Sequence, residues 1–189
     1  MSMKLVILGL LMEGDKHPYE IRQTMKERKL HNFVKIKDGS LYYAADQLKK
    51  EEYIEVMDTL KDSNRPDKTV YRISDKGKSY FQTLLLEKFS ESTPLYHPVY
   101  AALPFARHGD PSQIAEILEK RIEQCEQFII KMKDVYDEHI DIVSRGVLHL
   151  MNGCREQSKT ELKWLKRVYK DAQDDRLKES GVPLELDEE

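Results

Sequence analysis

The chain is poor in the residues that build secreted, sheet-rich or membrane-spanning proteins. Two cysteines in 189 residues, Cys125 and Cys154, are too few for a disulfide framework and form no C-x-x-C pair. Eight glycines and seven prolines cannot punctuate the many short strands of a sandwich or barrel, and their scarcity favours long helices. The longest apolar run, Leu5–Met12, is interrupted by Gly9 and falls far short of the roughly 20 residues that cross a bilayer. No basic stretch followed by an apolar segment and a cleavage site opens the chain, so a cytoplasmic protein without membrane association is expected. Catalytic signatures are missing as well. His17, His31, His97, His108, His139 and His149 form no H-E-x-x-H, and neither a glycine-rich phosphate loop nor a G-x-S-x-G motif occurs. His149 and Cys154 lie five apart with Cys125 remote, so no metal set is announced. An enzyme is not expected, nor a cofactor or a metal.

Charge is abundant. With 34% charged and 40% hydrophobic residues, the chain is apolar enough to fold. The formal net charge of −3 hides a division: residues 1–88 carry +3 and residues 89–189 carry −6. A mildly basic first half and an acidic second half fit one part that meets a polyanion and one that does not. An excess of three charges is too small to establish this alone.

Pro94, Pro98 and Pro104 fall within eleven residues and mark a linker, with a short helix starting at Pro98. The expected organisation is a domain over residues 1–90, a linker over 91–110, a helical domain over 111–180 and an acidic tail over 181–189. In the first part, Lys4–Met12 reads as a buried helix. Pro18 suits the first position of a second helix reaching about Lys29, with Ile21 and Met25 inward. Asp38 can cap a third helix, about Ser40–Glu51, whose inner face is Leu41, Ala44, Ala45 and Leu48. The period then changes to two. Residues Tyr53–Met57 and Thr69–Ile73 read as the strands of a hairpin around the polar stretch Asp58–Lys68, and Ser74 caps a fourth helix toward Phe89.

Three helices, a hairpin and a helix in about 90 residues is the order of a winged helix-turn-helix; the alternative is a small α+β domain with no nucleic-acid role. A 12-residue third helix is roughly 18 Å long, which the major groove accommodates. Its outward positions, Ser40, Tyr42, Tyr43, Gln47 and Lys49, carry groups able to bond bases or phosphates. Lys35 and Lys37 precede it, and the hairpin tip supplies Lys61, Arg65 and Lys68 where a wing meets the phosphate backbone. The N–H groups of Gly39 and Ser40 form an anion site at the helix start.

These segments resemble the PadR-type transcriptional regulators. The run Ile7–Leu11 is similar to that family's first helix, His17-Pro18-Tyr19-Glu20-Ile21 to its "GYEI" segment, and Asp38–Tyr42 to the start of its recognition helix. Leu48 through Ile54 follows its spacing into the wing, and Thr69–Gly77 its second wing strand and "T-E-x-G" helix start. Three positions depart from the pattern: Pro18 for a usual Gly, Tyr43 for a common Pro, and Glu52 for the turn Gly. A left-handed Glu52 would cost roughly 1 kcal/mol relative to glycine. The resemblance implies a homodimer bound to a double-stranded, pseudo-palindromic operator, usually as a repressor. By the same resemblance Ser40, Leu41, Tyr42 and Tyr43 approach base edges and phosphates, Tyr19 lies near the backbone, and Arg65 and Lys68 add wing contacts. A winged domain that binds protein, within a helical adaptor, is the competing reading.

Beyond the linker, Asp110-Pro111 opens a long helix. Leu118, Ile122, Cys125, Ile129, Met132, Tyr136, His139 and Val143 follow spacings of four and three, a heptad stripe over about 25 residues. After a break near Ser144–Gly146, a second helical run carries Val147, Met151, Cys154, Leu162, Leu165, Tyr169 and Ala172. One hairpin is not expected to bury both stripes, and pairing with a second copy would. The expected fold is therefore mainly α: a winged helix-turn-helix domain followed by a long-helix dimerisation domain. The family resemblance also implies a small aromatic effector, for which Tyr96, Tyr100, Phe105 and Trp164 are the candidate residues.

Overall fold

The computed structural model describes residues 3–30, 40–60, 68–92 and 96–184. Two compact units are present, residues 1–94 and 95–189.

In the first unit, α1 (Met3–Met12) is apolar on nearly every side and lies at the centre of the core, with Ile7, Leu8, Leu10 and Leu11 buried. A turn over residues 13–16 leads to α2 (Pro18–Glu27). The start of α2 is held by more than Pro18: the His17 ring accepts the Tyr19 N–H at 3.0 Å, while Glu20 accepts the His17 N–H at 2.7 Å. These reciprocal bonds satisfy two otherwise unpaired donors of the first turn. Helix α2 ends two residues before the expected Lys29, which takes a left-handed φ of 49°. Helix α3 (Ser40–Lys50) buries Leu41, Ala44, Ala45 and Leu48, the inner face read from the sequence.

The end of α3 decides where the wing begins. Tyr53 N–H bonds the Leu48 carbonyl at 2.9 Å and Glu52 N–H bonds the Lys49 carbonyl at 3.0 Å, the paired closure of a Schellman motif. Glu52 sits at its left-handed position with φ 60°. Strand β1 (Ile54–Leu60) follows and pairs antiparallel with β2 (Lys68–Ile73), with Ile54 opposite Ile73 and Glu55 opposite Arg72. A register shift between Val56 and Asp58 leaves Met57 as the bulged residue. Ile54, Tyr71 and Ile73 are buried on the inner face. A rung from the α1–α2 turn joins this ladder, because Lys16 and Tyr71 exchange backbone bonds at 3.1 Å each way. Ser74 caps α4 (Asp75–Ser90) by accepting the Gly77 N–H at 3.0 Å. Gly77 is required by proximity: a Cβ there would lie 2.0 Å from the Tyr53 carbonyl oxygen.

The second unit opens with α5 (Pro98–Ala102), capped by His97, and a 3-10 turn over Leu103–His108. Asp110 then accepts the N–H groups of Ser112 and Gln113 and starts α6 (Pro111–His139) with Pro111 in its first position. Residues 140–144 turn the chain into α7 (Arg145–Gln173). Each of these helices has 29 residues, roughly 43 Å at 1.5 Å per residue. They pack as a hairpin around Ala115, Leu118, Ile122, Leu165, Val168 and Ala172.

The stripe assigned to pairing between copies lies partly inside the α6–α7 hairpin. Leu118, Ile122, Met132 and Leu165 are buried, while Cys125, Ile129, Tyr136 and Leu162 are half-buried. Two antiparallel helices of equal length thus cover part of each other's inner stripes. The apolar side chains left exposed are a different set that includes Ile117, Phe128, Ile130 and Ile142.

Candidate nucleic-acid interface

Helix α3 owes its two faces to its sequence. Small and apolar residues at 41, 44, 45 and 48 seat it on α1, and the same periodicity turns Tyr42 and Tyr43 outward. Tyr42 is 51% exposed and Tyr43 69%, and neither belongs to the core cluster of the first unit among the described residues. Asp46, Lys49 and Lys50 share the exposed surface, and Gln47 is half-buried beside them. Tyr19, near the start of α2, is 60% exposed. Leu41 is corrected: it belongs to the core with 1% exposure and cannot reach a base edge. Asp46 was not anticipated; it subtracts one charge from the outer face. Lys37, Gly39 and Arg65, together with Asp38, Lys35 and Lys61, lie outside the described residues. Lys68 begins β2.

Around this face the unit is braced by ion pairs at its edges. Glu13 takes both Arg28 nitrogens at 2.6 Å, Asp15 accepts the Arg72 Nε–H at 2.9 Å, and Lys4 reaches Glu51 at 2.8 Å. The hydrogen bond from Arg28 holds the Glu13 carboxyl below the usual carboxylate range, and Arg72 does the same to Asp15. Burial, followed by nearby Asp46, pushes the Tyr71 phenol up. At the wing root, the Tyr53 and Tyr80 rings stack at 4.2 Å, with Lys76 5.1 Å from the Tyr53 ring. These contacts brace the hairpin and its neighbouring helices, while Tyr42 and Tyr43 of α3 stay exposed.

A second cluster lies in the other unit. The rings of Tyr100 and Trp164 meet edge-on at 5.2 Å, and His97 stands 4.9 Å from Trp164 and 5.2 Å from Tyr100. Arg121 donates to Glu161 at 2.7 Å, and the same carboxylate oxygen is 3.0 Å from His97 Nε2. Two of the four effector candidates are thus brought together, whereas Tyr96 and Phe105 are exposed outside the ring cluster. His97, Arg121 and Glu161 were not found from sequence; the only signal was that α6 and α7 run antiparallel, which sets Arg121 opposite Glu161. Among the described residues, no three of His, Cys, Asp and Glu come together as a metal site. Both cysteines are free, and burial pushes their thiols up. No helix among those residues is long and apolar enough to cross a membrane.

A helix seated by its apolar face, with exposed tyrosines on the other and a two-stranded wing beside it, defines a winged helix-turn-helix DNA-binding fold. The chain belongs to the PadR-like family of transcriptional regulators, whose family model matches residues 7–83. It is a regulator and not an enzyme. An uncharacterized protein of Lysinibacillus sphaericus is 35% identical over 83 residues, covering 43% of this chain and 73% of that protein. Bacillus subtilis PadR in complex with operator DNA shares the fold at TM-score 0.72 and 19% identity, over 89% of this chain and 98% of that one. The same protein in complex with p-coumaric acid superposes at TM-score 0.73 and 18% identity, over 90% and 98%.

Proposed function

We propose that this protein is a dimeric repressor that reads a pseudo-palindromic operator through α3 and its wing and is released by a small aromatic effector. The observation that carries the reading is the outer face of α3. Two exposed tyrosines beside lysines, on a helix whose other face is fixed in the core, are suited to groove and phosphate contacts. Ser40, Tyr42, Tyr43, Gln47 and Lys49 form that surface, with Tyr19 beside the backbone and Lys37, Gly39, Arg65 and Lys68 adding phosphate contacts. The operator-bound state of Bacillus subtilis PadR supports the assignment.

Pairing of two copies supplies the two half-sites, about 34 Å or a multiple apart, that such a dimer uses. Its support is the apolar surface that the α6–α7 hairpin leaves uncovered, with Ile117 62% and Ile130 61% exposed. The effector assignment rests on the Tyr100–Trp164 ring pair beside Arg121, and on the p-coumaric acid complex of Bacillus subtilis PadR. Trp164 is the single tryptophan of the chain, so its fluorescence reports ligand binding directly.

Duplex binding across a salt series tests the reading. Affinity should fall by about 0.9 log units per log unit of salt for each phosphate contact. The combination of Tyr42→Ala with Lys68→Ala should weaken binding while the dimer stays folded. A flat salt response, or no duplex binding at low salt, would favour a protein-binding adaptor instead.

A further inference from the structure

The turn between α1 and α2 holds two acidic side chains, and each is tied to a different element. Glu13 grips Arg28 at the end of α2 through two bonds of 2.6 Å. Asp15 accepts from Arg72 on β2, with Nε 2.9 Å and 3.1 Å from its two oxygens and Nη2 on one of them. Next to it, Lys16 and Tyr71 exchange backbone bonds, so the turn also forms a rung of the wing sheet. Arg72 stands opposite Glu55 in the β1–β2 ladder and so lies between two carboxylates. One four-residue turn therefore links the wing to α2, the helix that precedes and packs on α3.

We propose that Asp15 and Arg72 are positioning residues for DNA binding: their ion pair sets the angle at which the wing stands beside the recognition helix. The inference deepens the reading above, in which the wing meets backbone phosphates. Neither residue needs to touch DNA. A planar guanidinium held on both oxygens of a carboxylate restrains orientation as well as distance, which a single lysine contact would not do. Tyr71 and Ile73 anchor the inner face of β2 in the core, and the Arg72 side chain on the opposite face, held by Asp15, would oppose a tilt of the strand about that anchor.

The sign of one substitution separates this from simple charge effects. Removing an acidic group from a DNA-binding protein should raise its affinity for a polyanion. If Asp15 positions the wing, Asp15→Asn lowers affinity instead, by about two- to fivefold, the range of one half-exposed bidentate pair. The slope of log affinity against log salt becomes shallower by about 0.9 for each phosphate that the wing ceases to neutralise. The experiment measures full-length protein on a mixed-sequence duplex several helical turns long, over a salt series. Wild type is compared with Asp15→Asn, Arg72→Gln and their combination, and amide hydrogen exchange of β2 is followed in the same proteins without DNA. The expected result is that the double variant is no weaker than either single one, because both remove the same pair. Exchange in β2 should accelerate equally in all three. Arg72→Lys, which retains the charge but not the fork, should fall between wild type and Arg72→Gln.

Equal or tighter binding by Asp15→Asn with an unchanged slope would overturn the proposal, as would losses that add up in the double variant. If wild type itself fails to bind duplex at low salt, the DNA-binding reading falls, and the exchange data then judge the clamp alone: unchanged β2 protection in Asp15→Asn removes it. Should Asp15→Asn unfold, Arg72→Lys and Arg72→Gln carry the same comparison, and identical binding by both with wild type rejects the idea.

Discussion

Glu52→Gly is expected to stabilise the first unit, and the structure sets the size of the gain. Glu52 occupies the left-handed position of a Schellman closure at φ 60°, with its N–H bonded to Lys49 and its carbonyl accepting from Ser74 Oγ at 2.8 Å. A non-glycine residue there costs about 1–2 kcal/mol relative to the right-handed region, because Cβ crowds the following carbonyl. Glycine removes that cost but restores freedom to the unfolded chain, which takes back about 0.4–1 kcal/mol. The side chain contributes little to offset this: its carboxylate is 3.6 Å from Lys76 and 83% exposed, so solvent screens the pair. The net gain is about 0.5–1 kcal/mol, or roughly 2–8 °C in Tm for a unit of this size. Differential scanning calorimetry and urea unfolding of Glu52→Gly and Glu52→Ala distinguish backbone from charge. Alanine keeps Cβ and should leave stability unchanged. If alanine stabilises as much as glycine, or glycine destabilises, the strain at this turn is not what Glu52 imposes.

Gly77→Ala should destabilise by about 1–3 kcal/mol in urea melts, since the new methyl would overlap the Tyr53 carbonyl and Ile73 unless α4 shifts. Leu165→Ala, at a fully buried site between α6 and α7, should cost about 2–5 kcal/mol and lower helicity in the second unit without changing the first. The Glu13–Arg28 pair makes a pH-dependent contribution. The folded carboxyl titrates below its ordinary range, so the stabilisation is present above that range and is lost as pH falls through the lowered value. Glu13→Gln should therefore be less stable than wild type near neutrality and indistinguishable from it in strong acid. A difference that persists there would mean the pair acts through packing.

Where local rules and burial agree, residue pattern and structure coincide. The inner face of α3, the caps at Ser74 and Asp110, the short helix at Pro98 and the turn near Ser144 all follow from periodicity and from which side chains satisfy free N–H groups. Boundaries moved where a helix closed on its own last carbonyls: α2 stops before Lys29, and β1 begins at Ile54 because Tyr53 is taken up in closing α3. The capping box at His17 was missed because histidine is an uncommon cap, although Glu20 three residues on was a visible sign.

The outward positions of α3 were legible for the same reason, with one exception. Spacing marks Tyr42 and Tyr43 as outward, but a family motif read as a block also carried Leu41 outward, where its own periodicity places it inside. The aromatic cluster was half legible: composition names Tyr100 and Trp164, yet only the antiparallel course of α6 and α7 brings His97, Arg121 and Glu161 to them.

Periodicity, capping chemistry and turn residues are local properties, so the chain by itself determined its elements, their inner faces and the winged order of the first unit. What lies opposite what is set by packing between distant segments. Only the tertiary structure decided that Leu118 and Ile122 of α6 pack against Leu165 and Val168 of α7 in the same chain, and that two acidic residues of one turn hold α2 and the wing. Those contacts join positions many residues apart, and no local spacing encodes them.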